Sequence, residues 1–337
     1  MNAVVTGGAG FIGSHMVDLL VDQGFNVAVI DNFATGRREN LKQHLSNPRV
    51  AIHEMDMRRL APSASLFANC AYVFHFGGIG DIVPSIERPL EYMHANVDGT
   101  LAVLEAARHA GVRKFVYAAS SSCYGASPTV PTPEDAAIAP QYPYALSKYL
   151  GECTALHWAQ VYGLPVISIR MFNVYGPRVR TTGAYGAVFG VFLAQKLKRH
   201  PFTVVGDGTQ TRDFVFVTDV TKAFLLAAES SHTNEVFNLG AGQPNSVNHL
   251  VELLGGKATH VPKRPGEPDC TWADISKIRD LLGWSPQVSF EAGVSVMLDR
   301  IGDWSDAPLW TSASIEAATK AWFDHLAPDM TRRGGSR

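Results

Sequence analysis

Two groups of residues in this chain have the types and spacing to do chemistry. Thr6-Gly7-Gly8-Ala9-Gly10-Phe11-Ile12-Gly13 puts glycines at 7, 10 and 13, and Tyr144-Ala-Leu-Ser-Lys148 puts a phenol and an ammonium four residues apart. Glycine on a strand-to-helix turn permits positive φ and lets backbone N–H groups approach a pyrophosphate at the helix N-terminus. Residues i and i+4 share a helix face. A close ammonium stabilises the phenolate of a side chain that ordinarily titrates at about 10 and brings it toward neutrality. Ser120-Ser121-Ser122 offers three hydroxyls, just after a β-like run, that could hold a substrate oxygen. A Tyr-x-x-x-Lys spacing alone is common as an ordinary helix surface pair. Combined with the glycines and serines, it predicts a bound nicotinamide cofactor with an acid/base partner for redox chemistry on a hydroxyl.

The elements that must position these groups are legible around them. Ala3–Val5 is a short apolar β run. Ile12, Met16, Leu19 and Leu20 then fall at i, i+4, i+7 and i+8, a buried helical stripe with a stop at Gly24. The next β run, Val27–Ile30, ends in Asp31, an acid placed to bind both adenosine ribose hydroxyls and repel a 2′-phosphate. This favours NAD over NADP, with Arg37 and Arg38 as the counter-signal. Further β-like runs stand at 50–53, 72–75, 115–118 and 166–169. Between them run helical patterns, one striped by Val97, Leu101 and Leu104 and stopped at Gly111, the other following Pro143 with Leu146, Leu150, Cys153 and His157 as its stripe. Alternating β and α elements predict an α/β fold, a Rossmann-type doubly wound parallel sheet. Its carboxyl ends would carry Gly7, Asp31, His75 and Ser120.

After about residue 175 Gly and Pro become frequent and the elements shorten. We expect a dinucleotide-binding domain over 1–175, with segments near 212–240 (Phe214–Val217 and Val236–Leu239) returning to its sheet. A smaller α/β substrate domain is expected over 176–302, and a helical extension with a tail over 303–337. In that extension Ser312 is a candidate cap for a helix carrying Ile315, Ala318, Thr319, Trp322, Phe323 and Leu326 on one face, to be buried on the body of the protein or on a partner subunit. Residues Arg332 to Arg337 are expected to be disordered.

Composition narrows the function classes. The 337 residues are 46% hydrophobic and 18% charged with a net charge of −2, which gives no electrostatic reason to expect nucleic acid or an anionic membrane. No apolar stretch is long enough to span a bilayer, and with a β run beginning almost at Met1 no signal peptide is expected. The four cysteines, Cys70, Cys123, Cys153 and Cys270, are scattered. They are expected to be reduced thiols of a cytoplasmic protein, and neither they nor the twelve histidines form a metal pattern.

The chain resembles the extended short-chain dehydrogenase/reductase family, in particular its nucleotide-sugar epimerases of the UDP-galactose/UDP-glucose 4-epimerase type. The resemblance runs from residue 1 to about 300. It is carried by T-G-G-A-G-F-I-G-S-H at the start, D-N-F-A-T-G from Asp31, Asp56-Met57, H-F-G-G from His75, N-V-D-G-T from Asn96 and S-S-S-C-Y-G from Ser120. R-M-F-N-V-Y-G-P-R from Arg170, G-D-G-T-Q-T-R-D-F-V from Gly206 and R-P-G-E from Arg264 continue it. It implies that Asp56 and Met57 meet the adenine and that Phe76, Gly77 and Gly78 line the cofactor with Asn96 near it. Phe11, Ile12 and Asn32, inside the matching motifs, join the cofactor contacts. Ser120 would be the catalytic hydroxyl, Tyr144 the base and Lys148 its partner and a ribose contact. Asn173, Arg212 and Arg264 would hold the diphosphate and nucleotide of the substrate, with Ser122 beside the sugar and Glu267 near the ribose. Permanently charged, fixed donors suit a diphosphate; for Glu267 a surface-loop carboxylate is nearly as good a reading.

The resemblance implies an NAD-dependent isomerase that inverts C4 of a UDP-hexose or UDP-N-acetylhexosamine through a 4-keto intermediate, with the enzyme a homodimer through the helices around 97–110 and 144–162. The alternatives are a nucleotide-sugar 4,6-dehydratase, a UDP-glucuronate 4-epimerase with Arg180 facing a carboxylate, and, outside enzymes, an inactive NAD-binding sensor. Dehydratases of the family place an Asp-Glu pair where Ser121 and Ser122 stand, and decarboxylating relatives place a Glu at Ser122. Uronate 4-epimerases tend to carry Thr at the position of Asn173. Gly80 replaces a lysine of the bacterial epimerases. At Thr271 a tyrosine marks relatives restricted to plain hexoses, so a small residue implies a roomy pocket.

Overall fold

The computed structural model describes residues 1–181 and 188–326; the tail from Arg332 to Arg337 lies outside the described residues. The first half alternates strands and helices: β1 (Asn2–Thr6), α1 (Phe11–Asp22), β2 (Asn26–Asp31), β3 (Val50–Glu54), β4 (Cys70–His75), α2 (Ile82–Glu87), α3 (Pro89–Met93), α4 (Gly99–Ala110), β5 (Lys114–Ser120), α5 (Pro143–Tyr162) and β6 (Val166–Met171). The second half adds β7 (Asn173–Tyr175), α6 (Val188–Leu197), β8 (Phe202–Val205), β9 (Thr211–Arg212), β10 (Phe214–Phe216), α7 (Val217–Glu229) and β11 (Glu235–Leu239). It closes with β12 (Asn245–Ser246), α8 (Val247–Leu254), β13 (Ala258–Val261), β14 (Cys270–Thr271), α9 (Ser276–Leu282), α10 (Phe290–Asp299) and α11 (Ser312–Leu326).

Seven strands form one parallel sheet in the order β11-β6-β5-β4-β1-β2-β3. Every residue of β4 is buried and only Ser120 of β5 is not, as a sheet covered by helices on both faces requires. One face packs Met16, Val17 and Leu20 of α1 with Phe224 of α7, and the other packs Val103 and Leu104 of α4 with Ala155 and Ala159 of α5. Each such large aliphatic or aromatic side chain contributes about 1.5–3 kcal/mol by leaving water. The order of strands reverses between β1 and β4, so the crevice for a ligand opens at the carboxyl ends of those two strands. A second core, with Phe192, Phe202, Phe290 and Trp304, fills the space under α6, α8 and α10.

Three expectations are corrected here. Residues 236–239 join the main sheet beside β6 as β11, but Phe214–Phe216 pairs with β7 in a separate two-stranded sheet. The stripe expected to be buried on α5 faces outward: Leu146 and Leu150 are 39% and 38% exposed, and Cys153 and His157 are exposed too. The buried face is made instead of Ala145, Gly151, Ala155 and Ala159 with Lys148 and Glu152. Small residues allow the close approach: a Cβ on Gly151 would sit 2.2 Å from the Tyr117 hydroxyl. Finally, α11 is capped by Thr311 and not Ser312. The Ser314 N–H donates to Thr311 Oγ1 (3.2 Å) and the Thr311 N–H to Ser314 Oγ (2.8 Å), a reciprocal capping arrangement. Ile315, Thr319 and Trp322 of α11 are buried on the body of the chain, whereas Phe323 is exposed.

Candidate active site

The glycine turn leaves β1 at its carboxyl end. Gly7 has φ 66°, and a Cβ there would lie 2.9 Å from the Phe76 carbonyl and the Gly77 nitrogen. A Cβ on Gly13 would be 2.2 Å from the Gly7 carbonyl oxygen. The first turn of α1 therefore sits directly on the loop, and no side chain caps its N-terminus, so its leading N–H groups remain available to an anion. The turn opens onto a cleft of about 580 Å³ lined by Gly7, Gly10, Phe11, Ile12, Gly13, Asp31, Asn32, Asp56, Met57, Phe76, Gly77, Gly78, Ser120, Tyr144 and Lys148. Sequence neighbours and residues more than a hundred positions apart thus meet in one cavity.

Asp31 stands at the end of β2. Its carboxylate accepts the N–H groups of Ala9 (2.9 Å) and Phe33 (2.8 Å). Burial raises its pKa, and those two hydrogen bonds oppose the rise. Each oxygen keeps a lone pair for a ribose hydroxyl. Arg37 and Arg38 are committed elsewhere: Arg37 donates to Thr181 Oγ1 (3.2 Å), and Arg38 pairs with Glu54 and lies over the Phe33 ring. Asp56 caps the short turn after it by accepting the Arg58 N–H (3.0 Å), and the Arg58 side chain holds its carboxyl below the usual range.

Asn96 does not line the cleft. It is 1% exposed; its Oδ1 accepts the Ile79 N–H (2.8 Å), and its Nδ2 donates to the Ile79 carbonyl (3.0 Å) and to Ser147 Oγ (2.9 Å). It ties the loop after Gly78 to α5 from behind. A second pin went unnoticed in the sequence: the Gly77 N–H donates to Thr6 Oγ1 (3.0 Å), which is also bonded to His75 Nδ1 (2.7 Å), while His75 Nε2 meets Thr100 Oγ1 (2.9 Å). Burial lowers His75 to about 3, so the ring is neutral and its bonds fix the wall of the cleft.

At the other end of the cleft stand Ser120, Tyr144 and Lys148. Ser120 Oγ is 2.8 Å from Ser122 Oγ. Burial pushes the Tyr144 phenol up, against the hydrogen bond from Ser120. This differs from the sequence expectation of a phenol drawn toward neutrality by its i+4 lysine. The Lys148 Nζ lies 4.6 Å from the centre of the Tyr117 ring, so its charge is shared with that π face. Burial brings Lys148 down to about 8, and the Glu152 carboxylate one turn further along α5 works against the drop. Glu152 is itself held by Arg170 Nη2 (2.6 Å) and Ser168 Oγ (2.7 Å).

Beyond this end of the cleft the short strands of the second half gather the polar candidates. Thr271 Oγ1 donates to Asn173 Oδ1 (2.8 Å), and Arg212 Nη2 donates to Glu267 Oε1 (2.9 Å). Arg264 Nη1 lies 3.6 Å from Glu267 Oε2. Arg212 and Glu267 also line a second cavity of about 370 Å³ together with Gly206, Gln210, Lys263 and Asp269. Asp213, buried behind them, accepts the N–H groups of Ala241 (2.6 Å), Gly242 (3.2 Å) and Ala273 (2.9 Å) and so binds these loops together. Arg180, which the alternative uronate reading sets against a substrate carboxylate, is paired with Asp81 (2.7 Å). The role of Tyr142 was not foreseen: its ring stacks on Tyr144 at 6.3 Å and 8°.

A turn that a Cβ would fill, an uncapped helix N-terminus beside it and an acid at the next strand end fit a dinucleotide. Fold and cleft together define a Rossmann-type nicotinamide-cofactor enzyme with a tyrosine and a lysine at the far end of its cleft. The chain belongs to the NAD dependent epimerase/dehydratase family, whose model matches residues 3–240. It is 35% identical over 304 residues to a UDP-glucose 4-epimerase of Mycolicibacterium smegmatis, covering 88% of this chain and 96% of the relative. Among solved structures it is similar to the UDP-N-acetylglucosamine 4-epimerase of Methanobrevibacter ruminantium in complex with UDP-N-acetylmuramic acid (TM-score 0.83, 32% identity, 89% and 98% of the two chains). It is similar also to the UDP-glucuronic acid 4-epimerase of Bacillus cereus in complex with UDP-glucuronic acid and NAD (TM-score 0.84, 31% identity, 90% and 99%). No helix among the described residues is long and apolar enough to cross a membrane.

Proposed function

We propose that the chain is an NAD-dependent nucleotide-sugar 4-epimerase acting on a UDP-hexose or UDP-N-acetylhexosamine. The observation that carries this reading is a single cleft with the glycine cradle at one end and Ser120, Tyr144 and Lys148 at the other. Gly7, Gly10, Gly13 and the α1 N-terminus would hold the pyrophosphate of NAD, Asp31 its adenosine ribose and Lys148 its nicotinamide ribose. When bound, NAD supplies reversible oxidation and reduction at the sugar C4. Tyr144 as phenolate takes the proton from O4, Ser120 holds that oxygen through a hydrogen bond, and Lys148 stabilises the phenolate. Arg212, Arg264 and Asn173 keep the nucleotide end fixed while the 4-keto sugar turns. Tyr144 then returns the proton to O4 on the inverted centre, so the enzyme ends as it began.

Ser121 and Ser122 supply no acid/base pair for elimination, which speaks against a 4,6-dehydratase. The Arg180–Asp81 pair and Asn173 weaken the uronate reading. A homodimer in the cytoplasm is part of the proposal. The outward apolar residues of α5, including Val161 and Tyr162 at 53% and 50% exposure, support pairing through that helix and α4. The test is proton NMR of the purified protein with UDP-glucose, UDP-N-acetylglucosamine and UDP-glucuronate. Anomeric signals of a 4-epimer growing to equilibrium without added reductant are expected. A 6-methyl signal beside a 4-keto sugar would replace this reading with dehydratase.

A further inference from the structure

We infer that Trp322 of α11 is a positioning residue of the substrate site, holding the Arg264–Glu267 loop against the Tyr142–Tyr144 turn. Trp322 lies outside residues 3–240 matched by the family model. It is 5% exposed, yet its surroundings are those of the site and not of a hydrophobic core. Its indole Nε1–H donates to the Pro265 carbonyl (2.7 Å). Its ring lies 5.7 Å from the Arg264 guanidinium and 5.9 Å from the ring of Tyr142. Tyr142 in turn stacks on Tyr144. One side chain therefore touches both the loop that carries Arg264 and Glu267 and the turn that carries the acid/base tyrosine.

The loop needs such a tie. Gly266 has φ 71°, and a Cβ there would sit 3.0 Å from Gln141 Oε1, so loop and turn pass close to one another at this point. On its far side the loop is tied to β9 by the Arg212–Glu267 pair. The helix that delivers Trp322 is built to stay in place: Thr311 and Ser314 cap it, Ile315 and Thr319 are buried, and it packs against α2. If the loop drifted, Arg264 and Glu267 would lose their positions relative to Tyr144, and the nucleotide end of the substrate would be held less well while the acid/base chemistry stayed intact.

The inference rests on the epimerase reading, so its test has a readout besides turnover. Full-length Trp322→Phe and Trp322→Ala are compared with wild type for kcat, KM, NAD affinity, thermal midpoint and UDP affinity by calorimetry. Trp322→Phe keeps a ring and loses the donor; KM and the UDP dissociation constant should rise about fivefold to tenfold. Trp322→Ala loses both and should raise them further, with kcat and NAD affinity within about threefold of wild type, the pattern of lost uniform binding. If Trp322→Ala does not fold, the Phe variant decides. Unchanged KM and UDP affinity in a folded variant would overturn the inference, as would parallel losses in kcat, NAD affinity and thermal midpoint. A wild-type protein that binds UDP but epimerises no sugar would sink the epimerase reading and leave the UDP comparison to judge Trp322.

Discussion

Adding one methyl group at Gly7 tests the cradle most directly. Gly7→Ala meets two costs. A non-glycine residue in the left-handed region is disfavoured by about 1–2 kcal/mol. Its Cβ would also press at 2.9 Å on three backbone atoms of Phe76 and Gly77. That wall cannot yield easily, because the Phe76 N–H is bonded to the Thr6 carbonyl (3.1 Å), the Gly77 N–H to Thr6 Oγ1 (3.0 Å) and the Phe76 ring packs on Phe224 at 4.6 Å. Overpacking of this kind costs about 1–3 kcal/mol. Gly111→Ala is the matched control: φ is 63° at the end of α4 and nothing lies within 4 Å of the added carbon. It carries the conformational cost alone, and the effect of alanine on the unfolded chain cancels between the two variants. Urea unfolding should find Gly7→Ala less stable than Gly111→Ala by about 1–3 kcal/mol. Because Gly7, Phe76 and Gly77 line the cleft proposed to hold NAD, NAD affinity by calorimetric titration should fall about fivefold to a hundredfold for Gly7→Ala and stay unchanged for Gly111→Ala. Equal NAD affinity in the two variants would refute the cradle.

Tyr144→Phe should cut epimerisation about 10²–10⁴-fold while NAD affinity and thermal midpoint hold, because Ser120 keeps Ser122 as a partner; wild-type behaviour in every assay would revive the sensor reading. Thr271→Tyr removes the hydroxyl that donates to Asn173 and fills the space beside it; the ratio of activity on N-acetylated to plain UDP-hexoses should fall about tenfold or more, and an unchanged ratio would discard the roomy-pocket idea. Lys148 titrates at about 8 in the folded protein and near 10.5 when unfolded. Between those values the unfolded chain binds more protons, so this group makes stability rise with pH there. Lys148→Met should therefore exceed wild type in stability at pH 7 by a margin that shrinks toward pH 10, as urea unfolding at the two ends of the window would reveal.

Short-range physics made the chemistry legible. Gly7, Gly10 and Gly13 fix a turn because only the backbone around them decides whether a Cβ fits. Tyr144 and Lys148 share a face because helical geometry alone puts i and i+4 together, and Asp31 reaches its strand end because β2 stops there. The alternation of apolar runs likewise implied the parallel sheet. Where packing between distant segments decides, the sequence was silent or misleading. Phe214–Phe216 has the pattern of a sheet strand, yet its pairing with β7 depends on where that strand emerges. The leucines of α5 look like a core stripe, but close approach to the sheet selected the alanine and glycine face. Asn96 matches a cofactor motif and is turned to pin Ile79. The phenol of Tyr144 is governed by burial, which no spacing reveals, and Trp322 meets Pro265, 57 positions away, only because α11 docks where it does. The sequence by itself determined which groups could do chemistry, since local backbone geometry follows from local residue types. The tertiary structure decided which of them face the cleft, how they are charged and what holds them, since these depend on contacts between residues far apart in the chain.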